Sequence, residues 1–408
     1  MDHAKRMKKI SFSEIENHND KINQSSTLLI EVTSMIDFIV SIDAHSDELD
    51  GRQCWKIRYP LSTILFLVFV CQLAGIETWK EMEDFIEMNE GLLGDYVDLS
   101  VGCPSHDTLE RVMSMVNPQF LSDLKVEFEQ SADCLSVERL IAIDGKTMRG
   151  NGNKHQQPNH IVTAYDGSNQ ISIGQVVVEE KSNEITAIPR LLRMIDIRKG
   201  IVTIDAMGTQ TSIVDEIIKG KGDYCLAVKG NQGTLFEDIS LYFSDVQLIE
   251  RLMKKRQHYQ TVEKARSQIE IRDYWVSYDV KWLSDRHPHW QKLSGIGMTK
   301  NTIDRDGVLT EEVRYFIISF KKDVETFASC VRGHWSVESM HWLLDVVYRE
   351  DHNQTLDKRA AFNLNAIRKL CLYFLKVIQF PKKDLSYRRK QRYISVHLND
   401  YLPQLFGK

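Results

Sequence analysis

Short apolar runs alternate with stretches of helical spacing along the middle of this 408-residue chain. Five of the runs are short enough to be buried strands, and amphipathic stretches separate the last three of them. The runs are Leu140–Ile143, Ile161–Ala164, Ile171–Val178, Ile201–Ile204 and Tyr224–Val228. Because buried strands that alternate with helices form sheets covered by helices, the order β-β-β-α-β-α-β predicts an α/β core with a mixed sheet flanked by helices.

The segment before this core is predicted to be helical. Its longest apolar run, Leu61–Ile76, begins after Pro60, a residue that suits the start of a helix. At 16 residues the run is shorter than the roughly 20 that a membrane helix needs, so we expect a buried core helix and no membrane association. Ser105 is a candidate N-cap for another amphipathic helix. Residues 1–135 are therefore predicted to be a mostly helical domain that binds DNA or a protein partner.

The interval 235–311 interrupts the alternation of strands and helices. Its segment IEIRDYWVSYDVKW alternates apolar and polar positions and is rich in β-forming residues. We therefore predict a β-rich insertion that divides the core into a first part, 136–234, and a second part, 312–380. Tyr315–Phe320 is expected to return the chain to the core sheet.

Charge is distributed unevenly along the chain. Residues 1–135 hold 11 Lys and Arg against 24 Asp and Glu, a net charge of −13, whereas the whole chain carries −5. Residues 351–408 hold 12 basic and 4 acidic residues, and the densest basic part is KKDLSYRRKQR at 382–392. Such a region is typical of nucleic-acid contact, although a solvated surface tail has the same composition. We predict a basic C-terminal tail over 381–408.

The seven cysteines are scattered and form no CxxC pair. Their odd number and spacing argue against a disulfide framework or a cysteine zinc site, and they fit a reducing cytoplasm. The first 20 residues contain no apolar segment of the kind that a signal peptide has. These features predict a cytoplasmic protein.

Two aspartates stand at the ends of predicted strands. Asp144 follows the first apolar run in LIAIDGKTMRG, and Asp205 follows the fourth in GIVTIDAMGTQ. Either residue alone is most simply explained as a strand-ending turn or a helix cap. Side chains at the carboxyl ends of adjacent strands can also lie close together at one edge of a sheet, where ligand sites form. The basic residues Lys146 and Arg149 after Asp144 would suit a nearby phosphate.

A third carboxylate, Glu338, lies in the helical stretch VRGHWSVESMHWLLDVV. At 100° per residue, His334, His341 and Asp345 share its side of the helix, and apolar residues occupy the opposite side. This polar stripe has three interpretations. It is a solvated face, a zinc site built from the two histidines and Glu338, or a catalytic face. The spacing is not HExxH, which weakens the zinc interpretation.

Taken together, carboxylates from the first strand, the fourth strand and a late helix describe a ribonuclease H-like nucleotidyltransferase core. The chain resembles the DDE transposases of bacterial insertion sequences, and among them the H-repeat-associated transposase family. The matching blocks are GCPSHDTLERV (102–112), IAIDGKTMRG (141–150), EKSNEITAIPRLL (180–192), VTIDAMGTQ (202–210), DYCLAVKGNQGTL (223–235) and HWSVESMHWLLDVVYRED (334–351). They extend through most of residues 50–380.

This resemblance implies that Asp144, Asp205 and Glu338 are the catalytic and metal-binding DDE triad. It implies two Mg²⁺ ions, replaceable by Mn²⁺, and DNA strand cleavage and strand transfer at the ends of an insertion sequence. The partners would be double-stranded DNA, namely terminal inverted repeats and target DNA, and further copies of the chain in a homo-oligomer. The location would be the cytoplasm, in association with the nucleoid.

Several polar residues are candidates for DNA contact. They lie on loops at the predicted edge of the sheet, beside Glu338, or in the basic C-terminal region. The set is Lys146, Arg149, Lys229, Asn231, Gln232, Arg332, His334, Lys382, Lys383, Arg388, Arg389 and Lys390. Two alternative functions stay open at this point: a catalytically decayed DNA-binding remnant of a transposase, and a magnesium-dependent nuclease without strand transfer.

Overall fold

The computed structural model describes residue 50 and residues 52–118, 139–178, 184–265 and 268–406. The first 49 residues of the predicted N-terminal domain, Cys134 and the beginning of the block at 180–192 lie outside this part of the chain.

The described part of the N-terminal segment, residue 50 and residues 52–118, consists mainly of helices. Its helices are α1 (Leu61–Leu73), α2 (Trp79–Met88), α3 (Glu90–Leu93) and α4 (His106–Met115). All 13 residues of α1 are buried, which agrees with its uninterrupted apolar sequence. A capping box starts α2, in which the Thr78 side chain and the Glu81 side chain each accept a hydrogen bond from the other's backbone N–H. No helix in the described ranges is long and apolar enough to cross a membrane.

A large mixed sheet flanked by helices forms the centre of the molecule. The first five strands are β1 (Leu140–Thr147), β2 (His160–Asp166), β3 (Ile171–Val177), β4 (Ile201–Ile204) and β5 (Asp223–Val228). They lie in the order β3-β2-β1-β4-β5. Strands β1, β4 and β5 are parallel, and β2 is antiparallel to both of its neighbours. All five predicted strands are therefore present, and the predicted α/β class is confirmed.

Two helices connect these strands, α5 (Glu184–Met194) between β3 and β4 and α6 (Thr211–Lys219) between β4 and β5. Each is amphipathic, because buried aliphatic residues recur every three or four positions in both. The close packing of α5 on β3 requires Gly174, since a Cβ at that position would lie 2.6 Å from a methyl group of Ile195.

The interval 235–311 is only partly composed of strands. It begins with α7 (Thr234–Phe243) and α8 (Val246–Lys254), continues with β6 (His258–Ala265) and β7 (Gln268–Ser277), and then forms α9 (Lys281–Arg286), β8 (Gly295–Arg305) and β9 (Val308–Ile318). Leu235, Ile239 and Phe243, four residues apart, are buried on one face of α7, which explains why this stretch is a helix rather than a strand.

The four strands of this interval continue the central sheet instead of forming a separate one. Strand β9 pairs antiparallel with β5, from Cys225 opposite Ile318 to Val228 opposite Tyr315. The complete order is β3-β2-β1-β4-β5-β9-β8-β7-β6. The return of the chain to the core near Tyr315, expected from the sequence, is thus observed.

Four helices complete the chain: α10 (Val324–Tyr348), α11 (Lys358–Val377), α12 (Tyr387–Val396) and α13 (Leu398–Phe406). Helix α11 packs between the N-terminal helices and the sheet. Phe374 meets Phe69 of α1 edge to face at 5.5 Å, and the Asn363 side chain donates to the backbone carbonyl of Met113. One apolar core joins the N-terminal helices, the sheet and α11. The shared core marks no boundary near residue 135, and the division of the chain into domains there stays a prediction.

The C-terminal region differs from the predicted basic tail. Residues 387–406 form two helices that bury several apolar side chains, among them Ile394, Leu402 and Phe406. The Phe406 ring lies 5.1 Å from Phe66 of α1. The buried apolar residues of these short helices occupy only one face, so the many charged residues between them hid the helical pattern in the sequence.

A half-buried lysine near the end of α11, Lys376, makes stability depend on pH. Burial, reinforced by the charge of Lys390, lowers the pKa of Lys376 to about 8. The unfolded chain then binds more protons than the folded protein between pH ~8 and the ordinary lysine value of ~10.4, so the free energy of unfolding should rise with pH across that window. We expect Lys376→Met to stabilise the protein at pH 7 by up to about 3 kcal/mol, and the gain to disappear above pH ~10.5.

Urea denaturation of the wild type and Lys376→Met at pH 7 and pH 10.5 measures this effect. Lys80→Met, which removes an exposed lysine from α2, is the control and should change stability little at either pH. If Lys376→Met and Lys80→Met change the free energy of unfolding at pH 7 by the same amount, burial of the charged Lys376 side chain does not cost stability.

Candidate functional site

The two aspartates that were predicted to end strands lie on neighbouring strands of the sheet. The prediction is wrong for Asp144, because β1 continues beyond it to Thr147 through pairing with β2. Asp144 is in β1, and Asp205 directly follows β4. The two strands are parallel, and Ile143 is paired with Ile204, so each aspartate comes one residue after a paired position. Both aspartates therefore come directly after the paired part of β1 and β4, at the carboxyl-terminal end of this parallel pair, where ligand sites form.

Helix α10 packs on the sheet and contacts β1, β2, β4, β5, β6 and β7. Its approach is close at Gly333, where a Cβ would lie 1.8 Å from the Leu140 side chain. The polar stripe predicted on this helix faces the sheet at two positions. His334 Nδ1 lies 3.1 Å from the Thr203 hydroxyl on β4, and His341 Nδ1 lies 3.3 Å from Asp144 Oδ2. The interpretation of the stripe as a solvated face is therefore wrong for the two histidines.

Asp144 is held ionised by its neighbours. Burial tends to raise the pKa of its carboxyl, but the hydrogen bond and charge of His341, together with the backbone N–H of Gly145, outweigh burial and lower it. Burial also lowers the pKa of His341, which is 8% exposed. A neutral imidazole that donates from Nδ1 would orient the Asp144 carboxylate without neutralising its charge.

Glu338 experiences the charge of Asp144. Partial burial raises the pKa of the Glu338 carboxyl, and the negative charge of Asp144 raises it further, while Arg314 acts in the opposite direction. Burial lowers the pKa of His334 as well, and that residue is influenced by the charges of both Asp144 and Asp205. Asp144 is thus an electrostatic neighbour of both Glu338 and His334, and Asp205 is a neighbour of His334.

A network of amide hydrogen bonds shapes the loop that follows Asp205. The Asp205 carboxylate accepts a hydrogen bond from the backbone of Gly208 at 3.0 Å. The side-chain amides of Asn231 and Gln232 each donate to the backbone carbonyl of Ala206 at 2.8 Å. These two residues were predicted as DNA contacts; in the structure their amides hold the Asp205 loop.

The other predicted DNA contacts differ in their exposure. Lys146 is only 11% exposed and is surrounded by carboxylates, whereas Arg149 is 81% exposed. Lys229 and Arg332 are exposed, and Arg332 lies 3.5 Å from Glu263. His334 belongs to the triad region.

In the C-terminal region, Lys382, Lys383, Arg388 and Arg389 are exposed. The Lys390 ammonium instead donates to the backbone carbonyl of Leu375 at 2.7 Å. It also lies over the ring of Phe380. The Arg388 Nε also donates to the backbone carbonyl of Val346 at 2.8 Å. The exposed side chains of Lys382, Lys383 and Arg389 are therefore the best placed of the five to meet a ligand in solution.

The donor groups suit magnesium, although they do not form a closed cage. Within the described ranges, no group of three or more His, Cys, Asp or Glu side chains is arranged to hold a metal ion. Magnesium usually keeps several waters and binds through one or two carboxylates together with substrate phosphates. Asp144 and Asp205, with Glu338 nearby, supply donors of that type. The zinc interpretation is not supported, because His334 and His341 are directed toward Thr203 and Asp144.

Sequence reasoning missed two acidic residues of this region. Glu350 and Asp351 follow α10 and lie 3.3 Å and 3.2 Å from the Lys146 ammonium. Their only signal in the sequence was their place at the end of the matching block 334–351, and nothing in their spacing indicated a partner more than 200 residues away.

Comparisons with known proteins identify the family of the chain. The family described as "Transposase DDE domain" matches residues 135–375, and a "DDE_Tnp_1-associated" family matches residues 47–128. "Putative transposase YncI" of Escherichia coli O157:H7 is 34% identical over 371 residues, covering 89% of this chain and 92% of that protein. "H repeat-associated putative transposase YhhI" of Escherichia coli K12 is 35% identical over 368 residues, covering 88% and 95%.

Among solved structures, a piggyBac transposase synaptic complex with hairpin DNA aligns over 92% of this chain and 77% of that chain. Its TM-score of 0.35 and sequence identity of 9% are too low to support an argument about the fold. The two sequence relatives show the family of this chain, because they match 89% and 88% of its length. This chain belongs to the DDE transposase family, together with the H-repeat-associated transposases.

Proposed function

We propose that this protein is an active DDE transposase that cleaves DNA and transfers strands at the ends of an insertion sequence, with Mg²⁺ as its cofactor. The observation that carries the proposal is the register that places Asp144 and Asp205 side by side after the paired part of β1 and β4, with Glu338 on α10 within electrostatic range of Asp144. The order β3-β2-β1-β4-β5, with β2 antiparallel, supports a ribonuclease H-like core.

In this proposal, Asp144, Asp205 and Glu338 hold two magnesium ions, for which Mn²⁺ substitutes. When bound, such ions activate water or a 3′-hydroxyl and stabilise the leaving oxygen of a phosphodiester. The residues of the chain orient the donors. His341 fixes the Asp144 carboxylate, and Gly208 together with the Asn231 and Gln232 amides fixes the Asp205 loop.

The partners in this proposal are double-stranded DNA at the terminal inverted repeats, target DNA and further copies of the chain. The location proposed is the cytoplasm, at the nucleoid. The basic surface around Lys382, Lys383, Arg388 and Arg389 would contact phosphates, because four exposed cations on one segment attract a polyanion.

Replacing Lys382, Lys383 and Arg389 together with Gln tests this contact. Each lost phosphate contact reduces the slope of log K against log salt concentration by about 0.9, so we expect the slope to fall by about 3 and affinity at low salt to drop. Fluorescence anisotropy with labelled terminal-repeat DNA measures both quantities. Truncation is unsuitable, because α12 and α13 are part of the core.

A triple Gln variant of the exposed lysines Lys219, Lys254 and Lys255 makes the same change of charge elsewhere and is the control. If both triple variants have the same salt slope as the wild type, the C-terminal surface does not contact DNA.

A cleavage and joining assay distinguishes the proposed transposase from two other functions, a decayed DNA-binding remnant and a nuclease without strand transfer. A decayed DNA-binding remnant would bind terminal-repeat DNA without cutting it in Mg²⁺. A nuclease without strand transfer would cut, but would not join a pre-cleaved end to target DNA. Retention of Asp144, Asp205 and Glu338 favours the enzyme over the remnant. Cleavage of a labelled terminal repeat, followed by joining of a pre-cut end to a plasmid, is the experiment that tests the proposal.

A further inference from the structure

The Lys146 ammonium is nearly enclosed by three carboxylates. Its Nζ lies 2.8 Å from Asp345 Oδ1, 3.2 Å from Asp351 Oδ1 and 3.3 Å from Glu350 Oε2. Its side chain is 11% exposed, and Glu350 is fully buried. Arg368 lies 3.7 Å from Glu350 and Arg149 lies 3.8 Å from Asp351, so cations and carboxylates compensate one another here. The Lys146 charge is already engaged by three carboxylates and is not available to a DNA phosphate. Lys146 must therefore act within the protein.

The contact between Lys146 and Asp345 joins β1 to α10, as the contact between Asp144 and His341 does, at the next position along the same interface. Alternate residues of a strand point to the same face, so Lys146 lies beside Asp144 on β1. Residues four apart in a helix also share a face, so Asp345 lies one turn beyond His341 on α10. Two strand residues advance by roughly 6.6 Å and four helix residues by roughly 6 Å, and the two contacts therefore fit one register of α10 on β1.

The segment that follows α10 contacts the same Lys146 ammonium. Arg349 ends the helix with a positive φ of 48°, and the turn Glu350–His352 then places Glu350 and Asp351 against Lys146. The Asn365 side chain of α11 donates to Glu350 at 2.8 Å. Lys146 thus connects β1 to the end of α10 and, through Glu350, to α11.

We propose that Lys146 is a positioning residue that fixes the axial register of α10 on β1, and with it the separation between the Asp144 and Glu338 carboxylates. This inference rests on the proposed function, because it assigns those carboxylates to the reaction. Glu338 is carried by α10, so a displacement of the helix along β1 moves Glu338 relative to Asp144. A two-metal reaction depends on that separation, and a misplacement of about 1 Å can cost on the order of 100-fold in rate.

A cycle of Lys146→Met, Asp345→Asn and the double variant tests the proposal. We expect Lys146→Met to lower the cleavage rate at saturating DNA by about 100-fold and Asp345→Asn by about tenfold, with little change in DNA affinity. The two effects should be non-additive, because both variants break the same contact. Asp345→Asn leaves Lys146 two carboxylate partners and keeps the test valid if Lys146→Met does not fold. Lys146→Arg should restore part of the rate.

Lys154→Met is the matched control, since Lys154 is an exposed lysine in the loop after β1, and it should keep the wild-type rate. If Lys146→Met weakens DNA binding and flattens the salt slope by about 1 while the rate at saturation is kept, Lys146 is a DNA contact and the proposal is wrong. Additive effects of Lys146→Met and Asp345→Asn on the rate would also contradict it.

Hydrogen exchange provides a readout that is independent of activity. Lys146→Met should accelerate amide exchange over 340–348 relative to Lys154→Met, while the first turns of α10 remain protected. Unchanged exchange over 340–348 would overturn the positioning role. If the wild type cuts no DNA but exchange changes as expected, the proposed function fails while the structural role of Lys146 stands.

Discussion

Replacing Asp144, Asp205 or Glu338 with the corresponding amide is expected to abolish DNA strand cleavage while DNA binding largely survives. Stabilisation of transition-state charge by bound metal is worth several kcal/mol. Since each 1.36 kcal/mol is a factor of ten, each variant should lose about a thousandfold or more in the rate at saturating DNA. Single-turnover cleavage of a labelled terminal repeat in Mg²⁺ measures the loss, and anisotropy measures binding.

The chain offers matched controls for these variants. Glu325→Gln makes the same change in the first turn of α10, and Asp215→Asn does so on the exposed face of α6. Both should cut DNA as the wild type does. One triad variant that cuts at the wild-type rate would exclude that residue from the reaction centre and would leave the transposase proposal without its catalytic basis.

Among changes outside the triad, Arg368→Leu is expected to cause the largest loss of stability, about 3–5 kcal/mol. Arg368 is fully buried on α11, where its Nε donates to Gln72 of α1 at 2.8 Å and Nη1 lies 3.7 Å from Glu350. Burial raises the pKa of Glu350, but the charges of Lys146 and Arg368 more than compensate and lower it. Without Arg368, the buried Glu350 carboxylate keeps Lys146 but loses a second cation, and the Gln72 side-chain carbonyl loses its hydrogen-bond donor.

Urea denaturation of Arg368→Leu measures this loss. Arg359→Leu, at an exposed position in the first turn of the same helix, should change stability by no more than about 0.5 kcal/mol. Adding Glu350→Gln to Arg368→Leu should recover part of the loss, because it removes the uncompensated charge. If Arg368→Leu is as stable as Arg359→Leu, Arg368 does not connect α11 with α1 energetically.

The sequence alone determined the features that depend on local pattern. Apolar runs of four to eight residues marked the five core strands, and the 3.6-residue period marked the helices, because each pattern reports which face of a segment is buried. Asp205 was located at a strand end and Glu338 on a helix for the same reason, whereas β1 continues beyond Asp144 to Thr147. Family membership also followed from short blocks of sequence, and the comparisons confirmed it.

The tertiary structure decided which distant residues meet. The carboxylate partners of Lys146, the amides that hold the Asp205 loop, and the packing of α12 and α13 on α1 all join segments that are far apart in the chain. A lysine in a loop sequence is equally compatible with a DNA phosphate and with a buried carboxylate. Only the folded chain distinguishes them, because the energy of a charge depends on the burial and the neighbours that long-range packing creates.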